Sequence, residues 1–284
     1  MTTRRDFLGA TATLAGVVFV GCDLLAARPA AAQSRRGQTV VSGRRVKVVD
    51  VLERFVAFAS VALQHPELAA QQLDEAVKKY RLRGAAIGGS VNGQEISDAK
   101  FRPFWAKAEE LGVLVFIHPQ ATGATEELAR RFRGNGYLSN VIGYPLETTI
   151  ALSHLIFEGT LDSFPGLKVC GAHGGGFLPS YAGRSEIGCS TRPGACPGGP
   201  HGAIRKKPSE YLKQLYYDTM VFTPEGLRHL AAEVGPGRIM LGTDTPYPWT
   251  KTAVDLVMST PGLSDADRAA MLGETASRLL GIKA

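Results

Sequence analysis

Apolar runs of five to seven residues punctuate the chain, and most are followed by a longer stretch whose apolar positions repeat at helical spacing. The runs predict seven strands, at 46–51, 55–61, 84–88, 113–117, 168–172, 215–220 and 238–242. Helices are predicted over "HPELAAQQLDEAVKKY", "SDAKFRPFWAKAEEL" with Ser97 as N-cap, and "PLETTIALSHLIFEGTLDSFP" opening with Pro145. "TPEGLRHLAAEV" and "SDADRAAMLGETASRLLG" predict two more, and a longer excursion runs from Gln120 to Gly143. Strands alternating with helices indicate a parallel sheet, and the apolar strands indicate burial on both faces.

Three polar residues follow strands directly: His118, His173 and Asp244. Side chains that converge from the C-terminal ends of several strands are how a (β/α)8 barrel builds a catalytic site. A doubly wound sheet also places ligands there. No phosphate-loop or dinucleotide fingerprint is present, because Gly174–Gly176 follows a strand without the required spacing.

One junction breaks the pattern. In "VKVVDVLERFVAFASVAL", Val46–Leu63, only Leu52-Glu53-Arg54 separates two apolar runs. That is too short for a parallel crossover and holds no Gly, Asn or Pro for a hairpin turn.

At 284 residues and 44% hydrophobic content, one large domain over 46–284 is expected. The net charge of +6 is concentrated in residues 1–45, where seven arginines face Asp6 and Asp23. The near-neutral remainder excludes a nucleic-acid footprint. "TRRDFLGA" and the short apolar run after it fit a twin-arginine export signal over 1–32, released before Gln33, which implies the export machinery as a partner and a periplasmic or secreted product. "FVGC" at Cys22 offers lipoprotein anchoring as the alternative, and 33–45 reads as a disordered basic arm. Cys170 reads as a buried apolar residue. Cys189 and Cys196 are either a disulfide or two free thiols, and a zinc cluster with His201 matches no trusted spacing.

"FIHP", "GTLDSFPGLKVCGAHGGGFLPSYAGR", "STRPGAC", "YYDTMV" and "IMLGTDTPYP" together resemble the amidohydrolase-superfamily decarboxylases, of the 2-amino-3-carboxymuconate-6-semialdehyde decarboxylase type. The resemblance runs from about Arg54 to the C-terminus. It implies a distorted TIM barrel with one divalent metal, usually zinc, and a small unsaturated or aromatic carboxylate as substrate. Carried over residue by residue, His118 and Asp244 match metal ligands, and His173 matches the catalytic acid/base. Arg184 and Arg192 match arginines that hold substrate carboxylates, the former reaching a neighbouring subunit in a homodimer. Taken singly, each residue also has an ordinary structural use; His65, His154, His201 and His229 read as structural.

The family's first strand ends in an H-x-H pair of metal ligands. Here "VVDV" is followed by Leu52, Glu53 and Arg54, so the pair, the first helix and the second strand are missing as one block. Catalytic zinc sites normally keep three protein ligands, so weakened metal binding is expected. Two alternatives remain: a metal-independent hydrolase of a lactone or related ring, and a non-catalytic binder or non-functional deletion product.

Overall fold

Five of the predicted strands form one parallel sheet in the computed structural model of the chain, which describes residues 40–41, 44–45, 56–120, 126–196, 204–247 and 252–282. They are β1 (Gly84–Ile87), β2 (Leu114–Ile117), β3 (Lys168–Gly171), β4 (Tyr216–Asp218) and β5 (Ile239–Met240), and they lie side by side in chain order. The register runs Ile87–Ile117–Gly171 and Asp218–Met240, which aligns the C-terminal ends along one rim. Of the expected 55–61 strand, Ala59 makes a single parallel bridge to Ala85, with its N–H donating to the Gly84 carbonyl at 2.8 Å. Six parallel segments therefore follow one another without a reversal of order. Such a reversal defines the switch point of a doubly wound sheet, and its absence is the winding of a TIM-type α/β barrel. The barrel is not closed among the described residues.

The expected strand at 46–51 and the Val51–Leu52 junction lie outside the described residues, as does the leader. Within the stretch expected as an arm, Val40–Val41 pairs antiparallel with Arg44–Arg45.

Alternation along the strands divides the core in two. Val115, Ile117, Val169, Tyr217 and Ile239 point toward helices Pro66–Lys78, Arg102–Leu111, Tyr144–Phe157 and Pro224–Val234. Leu114, Cys170, Tyr216 and Met240 point the other way, against Val56, Phe58, Phe116 and the closing helix's Ala276, Leu279 and Leu280. Beyond β5, the Leu241 N–H donates to the Met271 carbonyl at 2.8 Å, within a π-turn at Ala270–Glu274 that interrupts the closing helix.

Two sequence expectations need correction. Asp98, not Ser97, caps the second helical segment: its carboxylate accepts the Lys100 N–H at 3.0 Å and starts a single 3-10 turn ahead of Arg102. Residues Ala182–Thr191 also form a helix that the pattern does not announce, because only Ala182 of its ten residues is buried and no apolar stripe marks it.

Candidate active site

His118 continues the ladder one residue past β2, its backbone N–H donating to the Ile87 carbonyl at 3.0 Å. Its Nδ1 lies 2.9 Å from the Pro119 carbonyl oxygen. An Nδ1–H donated there fixes the tautomer and leaves Nε2 with its lone pair. Nε2 faces Asp244, 3.8 Å from Oδ1, with the two side chains 26% and 18% exposed. Asp244 sits in the loop after β5 with a left-handed backbone, φ 55°.

His173 follows β3 through Ala172 and also has a left-handed backbone, φ 57°, ahead of three positive-φ glycines, Gly174–Gly176. Such a conformation is uncommon for a residue with a Cβ and needs support. Asp218, the last residue of β4, supplies it: Oδ2 accepts the His173 N–H at 3.0 Å and Oδ1 accepts the Gly174 N–H at 2.8 Å. The His173 ring lies 5.1 Å from that of His118, nearly edge-on, and 6.4 Å from Tyr144, nearly parallel to it. Burial holds the His173 imidazole below its ordinary value of 6.5; Asp218 and Asp244 act against this and His118 adds to it. Burial likewise raises the Tyr144 phenol.

One ring nitrogen each from His118 and His173 and one carboxylate oxygen from Asp244 all lie within 4.8 Å of one another, and this His-His-Asp group could hold a metal ion. The buried Nδ1 of His173 has no hydrogen-bond partner among the described residues, an expense that a bound ligand would remove. Two imidazoles and a carboxylate suit a borderline divalent ion. The donor set and its spacing therefore fit the expected metal.

Arg184 and Arg192 are not part of this cluster. Arg184 lies on the Ala182–Thr191 helix and Arg192 just beyond it, both exposed, and no hydrogen bond or ion pair engages either guanidinium among the described residues. Arg192 lies in the loop closed by a Cys189–Cys196 disulfide, which removes both sulfurs as zinc ligands; Cys170 is free and buried.

Four residues were not given a role by the sequence. Asp218 and Thr219 stand in the quoted "YYDTMV", and Tyr144 opens the helix after the excursion. Glu147 accepts the Gln120 N–H at 3.2 Å and so ties down the loop after His118. Asp218 falls inside the run predicted at 215–220, and the structure, not the sequence, ends the strand there.

Comparison with known proteins finds relatives and solved structures similar over most of the chain. The chain is 32% identical over 232 residues to the 2-amino-3-carboxymuconate-6-semialdehyde decarboxylase of Dictyostelium discoideum, covering 81% of this chain and 62% of that protein. It is 28% identical over 224 residues to the gamma-resorcylate decarboxylase of a Polaromonas species, covering 76% and 67%. It spans only 42% of the Caenorhabditis elegans protein that bears the same name as the Dictyostelium one. Among solved structures, 5-carboxyvanillate decarboxylase from Sphingomonas paucimobilis matches with a TM-score of 0.72 at 28% identity, covering 81% of this chain and 67% of that one. The Polaromonas dihydroxybenzoic acid decarboxylase, with bound manganese and the inhibitor 2-nitroresorcinol, matches with a TM-score of 0.70 at 28% identity, covering 81% and 70%. The amidohydrolase family model matches residues 44–282. By that match, which takes in the whole sheet and every residue of the site, the chain belongs to the amidohydrolase family.

Proposed function

We propose that the chain is a metal-dependent carboxy-lyase acting on a small unsaturated or aromatic carboxylate. The observation that carries this reading is the convergence of His118, His173 and Asp244 from three strand ends, in a chain whose relatives are decarboxylases. His118 and Asp244 would hold the metal, for which we take zinc or manganese. When bound, it supplies a Lewis acid that draws electron density toward the substrate's oxygens. In the reaction the bond between the carboxyl and its carbon breaks, the electron pair stays on that carbon, a proton takes the vacated place and CO2 leaves. His173, kept neutral by burial, has one N–H and one lone pair, so it can accept a proton at one nitrogen and deliver one to that carbon. Arg184 and Arg192 are proposed to bind substrate carboxylates, Arg184 that of a neighbouring subunit in a homodimer; both guanidiniums are exposed, no partner engages them among the described residues, and arginine forks suit carboxylates.

Metal binding is proposed to be weaker than in a site with an H-x-H pair. The six histidines stand at 65, 118, 154, 173, 201 and 229, and none are two apart. The same absence favours a second reading, hydrolysis of a lactone without metal. A third reading is a non-functional deletion product; DNA across the Val51–Leu52 codons that shows an intact H-x-H segment would remove the argument for weakened metal binding. Export to the periplasm is proposed from Thr3–Ala10, and the Cys189–Cys196 disulfide suits an oxidising compartment.

The test is CO2 release from 2,6-dihydroxybenzoate and 5-carboxyvanillate by the purified chain with Mn2+ or Zn2+. Release that a chelator abolishes and added metal restores is expected. Chelator-resistant lactone opening, with no CO2 release, would replace this reading with the second one.

A further inference from the structure

We propose that the adjacent pair Asp218–Thr219 is a positioning element that sets the relation of His173 to Asp244. This rests on the carboxy-lyase reading for its activity readout. The two residues face opposite neighbours. Asp218, 8% exposed, holds the backbone N–H groups of His173 and Gly174, and its Oδ1 also accepts the Met220 N–H at 3.0 Å. Three N–H donors on one carboxylate fix its orientation from both strands. Thr219 Oγ1 accepts the Gly242 N–H at 3.1 Å and donates to the Gly242 carbonyl at 3.4 Å, gripping the loop that leads to Asp244. The fit on that side is close: a Cβ at Gly242 would lie 2.9 Å from Asp218 Cβ. One dipeptide thus holds the backbone of left-handed His173 on β3's side and, through Gly242, the start of the loop that carries left-handed Asp244 on β5's side. Neither residue touches the reacting atoms; each acts through the backbone of another.

The substitutions are Asp218→Asn, Thr219→Val and Thr219→Ser in the full chain, with turnover and Mn2+ affinity measured per folded molecule. Asp218→Asn turns one acceptor into an NH2 that opposes an N–H. Its expected effect is a fall in kcat of about 10- to 100-fold with KM changed by less than about threefold, and Mn2+ affinity weakened about 10-fold. Thr219→Val should do the same in smaller measure, and Thr219→Ser, which keeps the hydroxyl, should restore both. If Asp218→Asn does not fold, the two Thr219 variants decide. Retention of kcat and Mn2+ affinity by Thr219→Val, or equal loss in Thr219→Ser and Thr219→Val, overturns the proposal. Wild-type protein that binds Mn2+ without releasing CO2 overturns the carboxy-lyase reading alone, and the positioning role is then judged on Mn2+ affinity. Wild-type protein that does neither overturns both.

Discussion

Nε2 of His118 lies 3.8 Å from Oδ1 of Asp244, although β2 and β5 are separated by two intervening strands. An imidazole lone pair and a carboxylate at that separation leave room for a shared cation between them. Replacing His118 by Ala, or Asp244 by Asn, should therefore lower Mn2+ affinity by at least about 100-fold, more than loss of an outer partner does. Isothermal titration of the folded variants checks it.

His173 separates two roles. As the proton carrier, His173→Gln should keep its metal and lose about 100- to 10,000-fold in turnover. As a third ligand, for which its place in the His-His-Asp group is the argument, the same variant should come off the column without metal. Elemental analysis beside a turnover assay tells them apart.

The pH dependence of stability follows from the same ring. Burial lowers the folded-state value of His173 below 6.5, so the unfolded chain binds the proton more readily. Its contribution is complete above pH 6.5 and is lost as pH falls through the lowered value. Melting temperatures of chelator-treated protein should drop on acidification below about pH 6.5 by up to one proton's worth, about 1.4 kcal/mol per pH unit. The drop should be shallower in His173→Gln.

Gly176 is a point where the fold admits no side chain. Its φ is +66°, and a Cβ there would lie 2.1 Å from the Pro145 carbonyl oxygen, which a helix holds in place. Gly176→Ala should cost about 3 kcal/mol or more, from backbone strain and overpacking together. Denaturant unfolding measures it. Because Pro145 adjoins Tyr144, the surviving folded fraction should show altered tyrosine fluorescence.

Leu152 is fully buried in the helix above β3, where truncation leaves a cavity. Leu152→Ala should destabilise by about 2–5 kcal/mol without moving metal affinity per folded molecule.

What the sequence made legible divides along a physical line. His118, His173 and Asp244 could be read because each stands just past an apolar run, where a parallel sheet exposes its side chains. Asp218 could not, because it lies inside the run predicted at 215–220 and works on another residue's backbone, which leaves no pattern in the chain. The helix at Ala182–Thr191 escaped for want of a buried stripe, and the closing helix looked continuous because a π-turn changes hydrogen bonding without changing apolar spacing. Barrel and open sheet were equally compatible with the string of strands, and the unreversed order in space decided between them.

That π-turn has a further effect. By taking the Leu241 N–H, the Met271 carbonyl occupies a hydrogen-bonding position just past β5, the last strand of the sheet among the described residues, while Leu279 and Leu280 of the same terminal segment cover the sheet's second face. A foreign strand seeking to extend this edge past β5 must first peel the segment away. Resistance to runaway strand addition and shielding of the apolar face are therefore vested in one short piece of chain, and loosening it would expose both together.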